Sequence, residues 1–237
     1  MSIAFISDLH LEPVDNDRLH SFINFLVEAP DKYKSLYIIG DLFEYWVGDD
    51  DPHPINELIQ NKIKDAIGKG LSIYFIHGNR DFLLGSEFEK NTGLRIIDDM
   101  TVIKDSGISL MIAHGDSFCT DDIEYQALKK SLRSAEWKKD FLQKPIAERI
   151  AFADDLRAKS AESSSNKAEN IMDVNKSYVA EVIEKHKIDF LIHGHTHRPA
   201  IHKLDNGSSR VVLGSWEDEG WVAEYSKGNI ELKSFTI

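Results

Sequence analysis

The chain has 237 residues, 42% of them hydrophobic and 29% charged, which is ordinary for a globular protein and enough for one sizeable core. Its net charge of −12 excludes a broad nucleic-acid-binding face and disfavours attachment to an anionic membrane by charge alone. Cys119 is the only cysteine, so no internal disulfide can form and a reducing compartment is expected. The N-terminus has no basic region, Asp8 interrupts its apolar run, and no apolar stretch reaches the length of a membrane span. The expectation is a cytosolic protein, at most one lying on a membrane surface.

Ile3-Ala4-Phe5-Ile6 reads as a short buried strand that empties into Ser7-Asp8-Leu9-His10. Asp8 and His10 stand two apart and offer one oxygen and one nitrogen ligand. From about Asp15 to Glu28, Leu19, Phe22, Ile23 and Leu26 recur at helical spacing, and Pro30 is expected to stop that helix. Leu36-Tyr37-Ile38-Ile39 is a second strand, delivering Asp41 through Gly40. Leu58, Ile59, Ile63 and Ile67 then line a helix ending near Gly68 to Gly70. A third strand, Ile73 to Ile76, empties into His77-Gly78-Asn79-Arg80-Asp81, and a fourth, Leu110 to Ala113, into His114-Gly115-Asp116.

Residues 121 to about 187 read as helices without a strand, with Ala161 to Ser165 a loop or hinge and Asn170 to Lys187 a final helix. An insertion at that place in a single domain spanning 1–237 is a candidate lid. The fifth apolar run, Phe190-Leu191-Ile192, leads into His193-Gly194-His195-Thr196-His197, whose His195 and His197 form an imidazole pair. Val211 to Trp216, Gly220 to Tyr225 and Ile230 to Ile237 read as strands of a second sheet. Strands alternating with helices predict an α/β fold with a largely parallel core, whose ligands collect beyond the carboxyl ends of the strands.

Five strand ends therefore carry seven candidate metal ligands: Asp8, His10, Asp41, Asn79, His114, His195 and His197. The set suits two ions if one carboxylate bridges them, and Asp41 is the natural bridge because it arrives alone. Mixed Asp, Asn and His without thiolate fits Mn²⁺ or Fe²⁺ better than structural zinc. Two ions about 3.5–4 Å apart hold a hydroxide and clamp a phosphoryl oxygen for in-line displacement. His77 and His193 are read as supports or packing residues, without a catalytic role.

Asp-x-His, Gly-Asp, Gly-Asn, His-Gly and Gly-His-x-His in this order resemble the calcineurin-like metallophosphoesterases. The resemblance covers residues 1–116 and 189–237. It implies a four-layer α-β-β-α sandwich, with Asp8, His10, Asp41 and His197 on one metal and Asp41, Asn79, His114 and His195 on the other. A closer likeness runs through Gly40-Asp41-Leu42-Phe43-Glu44, Gly48-Asp49-Asp50-Asp51, Asn79-Arg80-Asp81-Phe82-Leu83, Cys119-Thr120-Asp121-Asp122, Ile171-Met172-Asp173-Val174-Asn175 and His195-Thr196-His197-Arg198-Pro199. These strings resemble the UDP-2,3-diacylglucosamine pyrophosphatases of lipid A biosynthesis. That likeness implies Mn-dependent hydrolysis of UDP-2,3-diacylglucosamine to UMP and 2,3-diacylglucosamine 1-phosphate, with two Mn²⁺ per chain. It also implies peripheral association with the cytoplasmic face of a bacterial inner membrane. Implied substrate contacts are Asn79, Arg80, Asp122, Ser160, Ser164, Lys167 and His195, with Arg80 also catalytic.

Arg80 points to a diphosphate by its own chemistry. Many of the family's phosphatases resemble Gly-Asn-His-Asp at this place, with the histidine protonating an alkoxide leaving group. An arginine keeps its proton but grips phosphate with a bidentate fork. A phosphomonoester, with a second pKa of about 6, departs without a general acid. A dinucleoside polyphosphate hydrolase, another metallophosphoesterase or a non-catalytic binding module on the same fold are the competing readings. In the helical segment, Trp137, Phe141, Leu142, Ile146, Ile150 and Phe152 are expected to dock on lipid or line an acyl slot. Lys138, Lys139, Arg149 and Arg157 are expected close enough to meet headgroups or substrate phosphate.

Overall fold

The computed structural model describes residues 2–166 and 173–237, with 161–166 described by their backbone alone. Two sheets lie face to face. The first runs β11-β10-β1-β2-β3-β4, from β1 (Ser2–Ile6), β2 (Ser35–Ile39), β3 (Ser72–Ile76), β4 (Arg95–Ile96), β10 (Glu219–Ser226) and β11 (Asn229–Thr236). The second runs β5-β6-β7-β9-β8, from β5 (Thr101–Asp105), β6 (Ile108–Ile112), β7 (Phe190–His193), β8 (Ala200–Lys203) and β9 (Ser209–Val212). β1, β2, β3 and β4 pair parallel, as do β6, β7 and β9, while the remaining strands add antiparallel.

Period-2 side-chain alternation turns those pairings into layers. Ile3, Phe5, Tyr37, Ile39, Ile76, Leu110, Ile112, Ile192 and Val211 interdigitate between the sheets. Their neighbours Ala4, Ile6, Leu36, Ile38, Ile73 and Phe75 face α1 (Asp17–Lys32), α2 (Pro54–Gly68) and α3 (Ser86–Thr92). On the far side, Met111, Ala113 and Leu191 meet Val179, Val182 and Ile183 of α7 (Lys176–His186). The result is an α-β-β-α sandwich. Each fully buried Ile, Leu or Phe contributes about 1.5–3 kcal/mol, so the three apolar layers, rather than the loop tips, carry the stability.

Three more helices, α4 (Ile123–Leu132), α5 (Ala135–Leu142) and α6 (Ile146–Asn166), stand at the end of the first layer, where Leu132, Phe141, Trp137 and Leu156 extend its cluster. None of the described helices is long and apolar enough to cross a membrane.

Several local expectations change. The C-terminal strands do not share a sheet: β10 pairs antiparallel with β1 and so joins the first, whereas β9 lies between β7 and β8 in the second. Pro30 does not end α1, which continues to Lys32. A proline in the last turn forfeits one backbone bond to Leu26 without disrupting the turns before it. Ala161 to Ser165 belongs to α6 rather than to a hinge. The final helix begins at Lys176, capped by the Asn175 side chain on the Tyr178 N–H at 2.9 Å. Residues 170–172, the expected start of that helix, lie outside the described residues.

Candidate metal centre and substrate cleft

The two sheets open their strand ends on the same side, so loops from β1, β2, β3, β6 and β7 meet there. Their backbones are laced together: Asp8 N–H donates to the Gly40 carbonyl (3.1 Å), His10 N–H to Asp41 (3.0 Å) and Gly194 N–H to His114 (2.8 Å). Five of the seven expected ligands hold left-handed backbones, at φ +54° for Asp8, +48° for His10, +53° for Asp41, +65° for His195 and +53° for His197. For residues with a Cβ this conformation costs about 1 kcal/mol or more apiece and persists only where the surroundings impose it. The kink turns each side chain inward at the moment its strand ends. Gly78 and Gly194 permit the crowding, since a Cβ on Gly78 would fall on the Asp41 backbone nitrogen and carboxylate, and one on Gly194 on Ser7 and Asp8.

All seven side chains converge. Asp8 and His114 are fully buried, and Asp41 is 2% exposed. Asp41 Oδ2 lies 3.9 Å from His10 Nε2 and 3.7 Å from His114 Nε2, between the two halves of the cluster. His197 Nε2 stands 3.3 Å from Asp8 Oδ1 and 3.4 Å from His10 Nε2. Asn79 Oδ1 is 3.0 Å from His114 Nε2 and 2.9 Å from His195 Nδ1. Asp8 is shared as well: it groups with His10 and His197, and with Asp41 and His114.

The donor set fits a divalent cation. Nδ1 of His114 faces the Ile39 carbonyl at 3.0 Å, which only accepts, so the neutral ring turns its Nε2 lone pair toward Asn79 Oδ1. His10 Nδ1 lies 2.8 Å from Glu44 Oε2, so its Nε2 lone pair likewise faces the cluster. Asp8 Oδ1 is buried and accepts no hydrogen bond among the described residues. Acceptors aimed at one another in this way are stable only around a positive charge.

Electrostatics reflect the same crowding. Burial opposes charge on His10, yet Glu44, Asp41 and Asp8 outweigh it and raise its proton affinity. Burial also opposes charge on His114, and Asp41, Asp116 and Asp8 again prevail. His195 falls to about 4, through burial and then the charge of His114. Asp8 drops below the usual carboxylate range because His197, His114 and His10 overcome its burial. Burial and the neighbouring Asp41 charge push Asp81 up to about 7.

Three acids near the motifs support the site without belonging to the expected set. Asp81 accepts the backbone N–H of Leu42 at 2.7 Å and of Gly78 at 2.9 Å, fixing the β2 and β3 loops to each other. Asp116 is fully buried and takes Tyr125 Oη (2.7 Å), Lys129 Nζ (2.9 Å) and Arg133 Nη2 (3.2 Å), anchoring α4. Glu44 grips His10 with one oxygen and Arg157 Nε of α6 with the other, at 2.9 Å. Their sequence signal was adjacency to a ligand motif, which does not by itself distinguish a support from a solvated loop acid.

Arg80 projects beside the cluster, its backbone N–H donating to Asp41 Oδ1 at 2.8 Å and its Nη1 4.0 Å from Glu44. Its buried Nε has no hydrogen-bond partner among the described residues. Asp122 caps α4 through the Tyr125 N–H (3.1 Å) and lines the metal cleft, as Ser160 of α6 does. The backbone of Ser164 lies in α6, and Lys167 lies outside the described residues.

Beside the cleft runs a second cavity of about 100 Å³, walled by Trp46, Phe82, Leu132, Trp137, Phe141 and Leu156, among others. It shares Asn79, Arg80, Tyr125 and Ser160 with the metal cleft. Trp137 stacks on Phe141 at 4.5 Å, and Phe152 packs on Phe141 at 5.2 Å, so these three line the slot. Leu142 is exposed, and Ile146 and Ile150 are half-buried outside the slot. Of the four expected headgroup cations only Lys139 is exposed. Arg149 is buried against Asp50 and the Val47 carbonyl, Arg157 is paired with Glu44, and Lys138 donates to the Phe82 carbonyl.

A family model for calcineurin-like phosphoesterases matches residues 1–199. The chain belongs to that family. As a calcineurin-like phosphoesterase it is a hydrolase, and its Asp/His cluster is a site for divalent metal. It is 40% identical over 240 residues, all of both chains, to a UDP-2,3-diacylglucosamine hydrolase of Salmonella paratyphi B. Over 238 residues, 99% of both chains, it is 42% identical to the protein of the same name from Escherichia coli O7:K1. Among solved structures, a dimetal phosphatase from Danio rerio superposes with a TM-score of 0.55 at 10% identity, covering 98% of this chain and 95% of that one. An archaeal phosphodiesterase gives 0.53 at 14% identity over 99% and 100%. These two likenesses concern the fold alone.

Proposed function

We propose that the enzyme hydrolyses the pyrophosphate bond of UDP-2,3-diacylglucosamine, releasing UMP and 2,3-diacylglucosamine 1-phosphate, with two Mn²⁺ per chain. The observation that carries the reading is the apolar slot running directly into the metal cleft, with Asn79 and Arg80 in both walls. A substrate with a charged bridge and two hydrocarbon chains needs that adjacency, whereas a dinucleoside polyphosphate has nothing to place in the slot. The full-length relatives named for this substrate support the same reading.

Asp8, His10, Asp41 and His197 would hold one ion and Asp41, Asn79, His114 and His195 the other. Bound there, the ions would supply a hydroxide at neutral pH and would neutralise charge on the phosphoryl oxygens. Glu44 and the Ile39 carbonyl fix the tautomers of His10 and His114, so both rings keep their Nε2 lone pairs aimed inward. Arg80 grips a phosphate oxygen as charge develops on the leaving group. The departing sugar phosphate carries that charge itself, and Arg80 donates hydrogen bonds without giving up a proton. Each acyl methylene placed in the slot contributes roughly 0.8 kcal/mol, and the chains keep bulk water from that side of the cleft.

Association with the cytoplasmic face of a bacterial inner membrane follows from such a substrate. Leu128 and Phe152, 43% and 37% exposed, stand on the walls of both cavities and give lipid an apolar path inward. The test is turnover with Mn²⁺ of UDP-diacylglucosamine, diadenosine tetraphosphate and p-nitrophenyl phosphate side by side. The expected result is a kcat/KM for the acylated nucleotide sugar far above the other two. Preference for diadenosine tetraphosphate would overturn the assignment.

A further inference from the structure

The proposed substrate has three chemical parts in series, and among the described residues the apolar slot, the metal cleft and a further cavity follow one another through shared walls. Beyond the metal cleft lies a third cavity of about 270 Å³, lined by Asp173, Thr196, Arg198, Pro199, His202, Arg210 and their neighbours. It shares Thr196 and Arg198 with the metal cleft and no residue with the apolar slot. A ligand with its acyl chains in the slot and its phosphates at the metals therefore sends its remaining end toward Arg198.

We propose that this third cavity receives the nucleoside of the uridine nucleotide, with Arg198 on its phosphate. The inference rests on the substrate reading above. Arg198 directly follows the candidate metal ligand His197, so its side chain starts one residue from the edge of the metal cluster. Its Nη1 is 3.3 Å from Asp173 Oδ2, and at 44% exposed it is free to turn toward a phosphate oxygen. Arg210 is held still: its Nη1 donates to His193 Nε2 at 3.2 Å, and it lies 4.0 Å from Asp173 Oδ1. With two guanidinium groups against one carboxylate the cavity keeps a net positive charge, on a protein of net charge −12. Asp173 would accept the ribose hydroxyls once Arg198 swings to phosphate, while Pro199 and the His202 ring offer faces for a planar base. The Thr196 hydroxyl, in the wall common to both cavities, is buried without a partner among the described residues. A phosphate or ribose oxygen at this junction would satisfy it.

The test is calorimetric binding of UMP to the Mn²⁺-loaded protein, which needs no turnover, together with steady-state kinetics. Arg198→Ala should weaken UMP binding, and raise its inhibition constant, on the order of tenfold or more. Arg198→Lys should recover part of the loss. Inhibition by 2,3-diacylglucosamine 1-phosphate should change far less than inhibition by UMP, since the acyl chains of that product lie in the slot, which Arg198 does not line. Unchanged UMP binding in Arg198→Ala, by an enzyme that turns over UDP-diacylglucosamine, overturns the nucleotide pocket and leaves the substrate reading standing. Arg198-dependent UMP binding by a wild-type enzyme unable to hydrolyse the lipid nucleotide supports the pocket and removes the lipid.

Discussion

The loop cluster and the helical walls beside it are built on opposite principles. In the cluster, left-handed backbones at five of the seven candidate ligands, backbone bonds between loops and buried carboxylates hold the donors in place. The walls α4, α5 and α6 attach through apolar contacts of Leu132, Trp137, Phe141 and Leu156 with the first cluster, and α4 and α6 add charged clamps: Asp116 with Lys129 and Arg133, Asp50 with Arg149, and Glu44 with Arg157. Chemistry needs donors held to fractions of an ångström. A slot for hydrocarbon needs only volume and apolar walls. Glu44 is where the two designs touch, with one oxygen on a metal ligand and the other on α6.

The sharpest way to break this contrast is at the cluster. His10→Ala or Asp41→Ala is expected to abolish turnover while circular dichroism and melting temperature stay near wild type, because the apolar layers do not depend on the tips. Metal analysis finding well under two ions per chain in fully active enzyme would sink the two-ion mechanism.

At the boundary between the regions, Arg80→Ala should cost a few kcal/mol of transition-state stabilisation, on the order of a hundredfold in kcat/KM. Arg80→Lys should recover little, since a point charge lacks the planar fork. Wild-type kinetics for Arg80→Ala would remove it from the mechanism.

The smallest effect belongs to the wall. The Arg149 hydrogen bonds hold the Asp50 carboxyl below its usual range, against the opposing effect of burial. A depressed folded pKa means that the pair's contribution is full above the unfolded value and is lost as pH falls through the folded one. Asp50 is 60% exposed, so screening limits that contribution to about 1 kcal/mol or less. The urea midpoint of wild type should exceed that of Asp50→Asn at pH 7, and the gap should close below about pH 4. A gap that persists at pH 2 would mean that the clamp acts through packing instead of charge.

Much of the cluster was legible because a strand that ends in Gly-Asp, Gly-Asn or His-Gly announces both burial and a turn within a few residues. The pairing of those strands was not: β1, β2 and β3 sit in one sheet and β6 and β7 in the other, and local pattern does not encode which edges meet. β10 illustrates this, since nothing local distinguishes pairing with β1 from pairing with β9. The left-handed Asp and His backbones were also hidden, because only glycine advertises positive φ. β5, with Lys104 and Asp105 in its run, was too polar to register as a strand. Arg149 showed the limit of charge patterning: a cation on a helix read as a headgroup contact, and the fold buries it at 1% exposure.

If the slot and the metal cleft act as one site, the ratio of kcat/KM for diacylated over unacylated UDP-glucosamine, in wild type and in Phe141→Ser, will report it. Wild type should favour the acylated substrate by orders of magnitude. Phe141→Ser should lose much of that preference through KM while turnover of the unacylated substrate stays at the wild-type level. Equal kcat/KM for both substrates in wild type would mean that slot and cleft are separate sites.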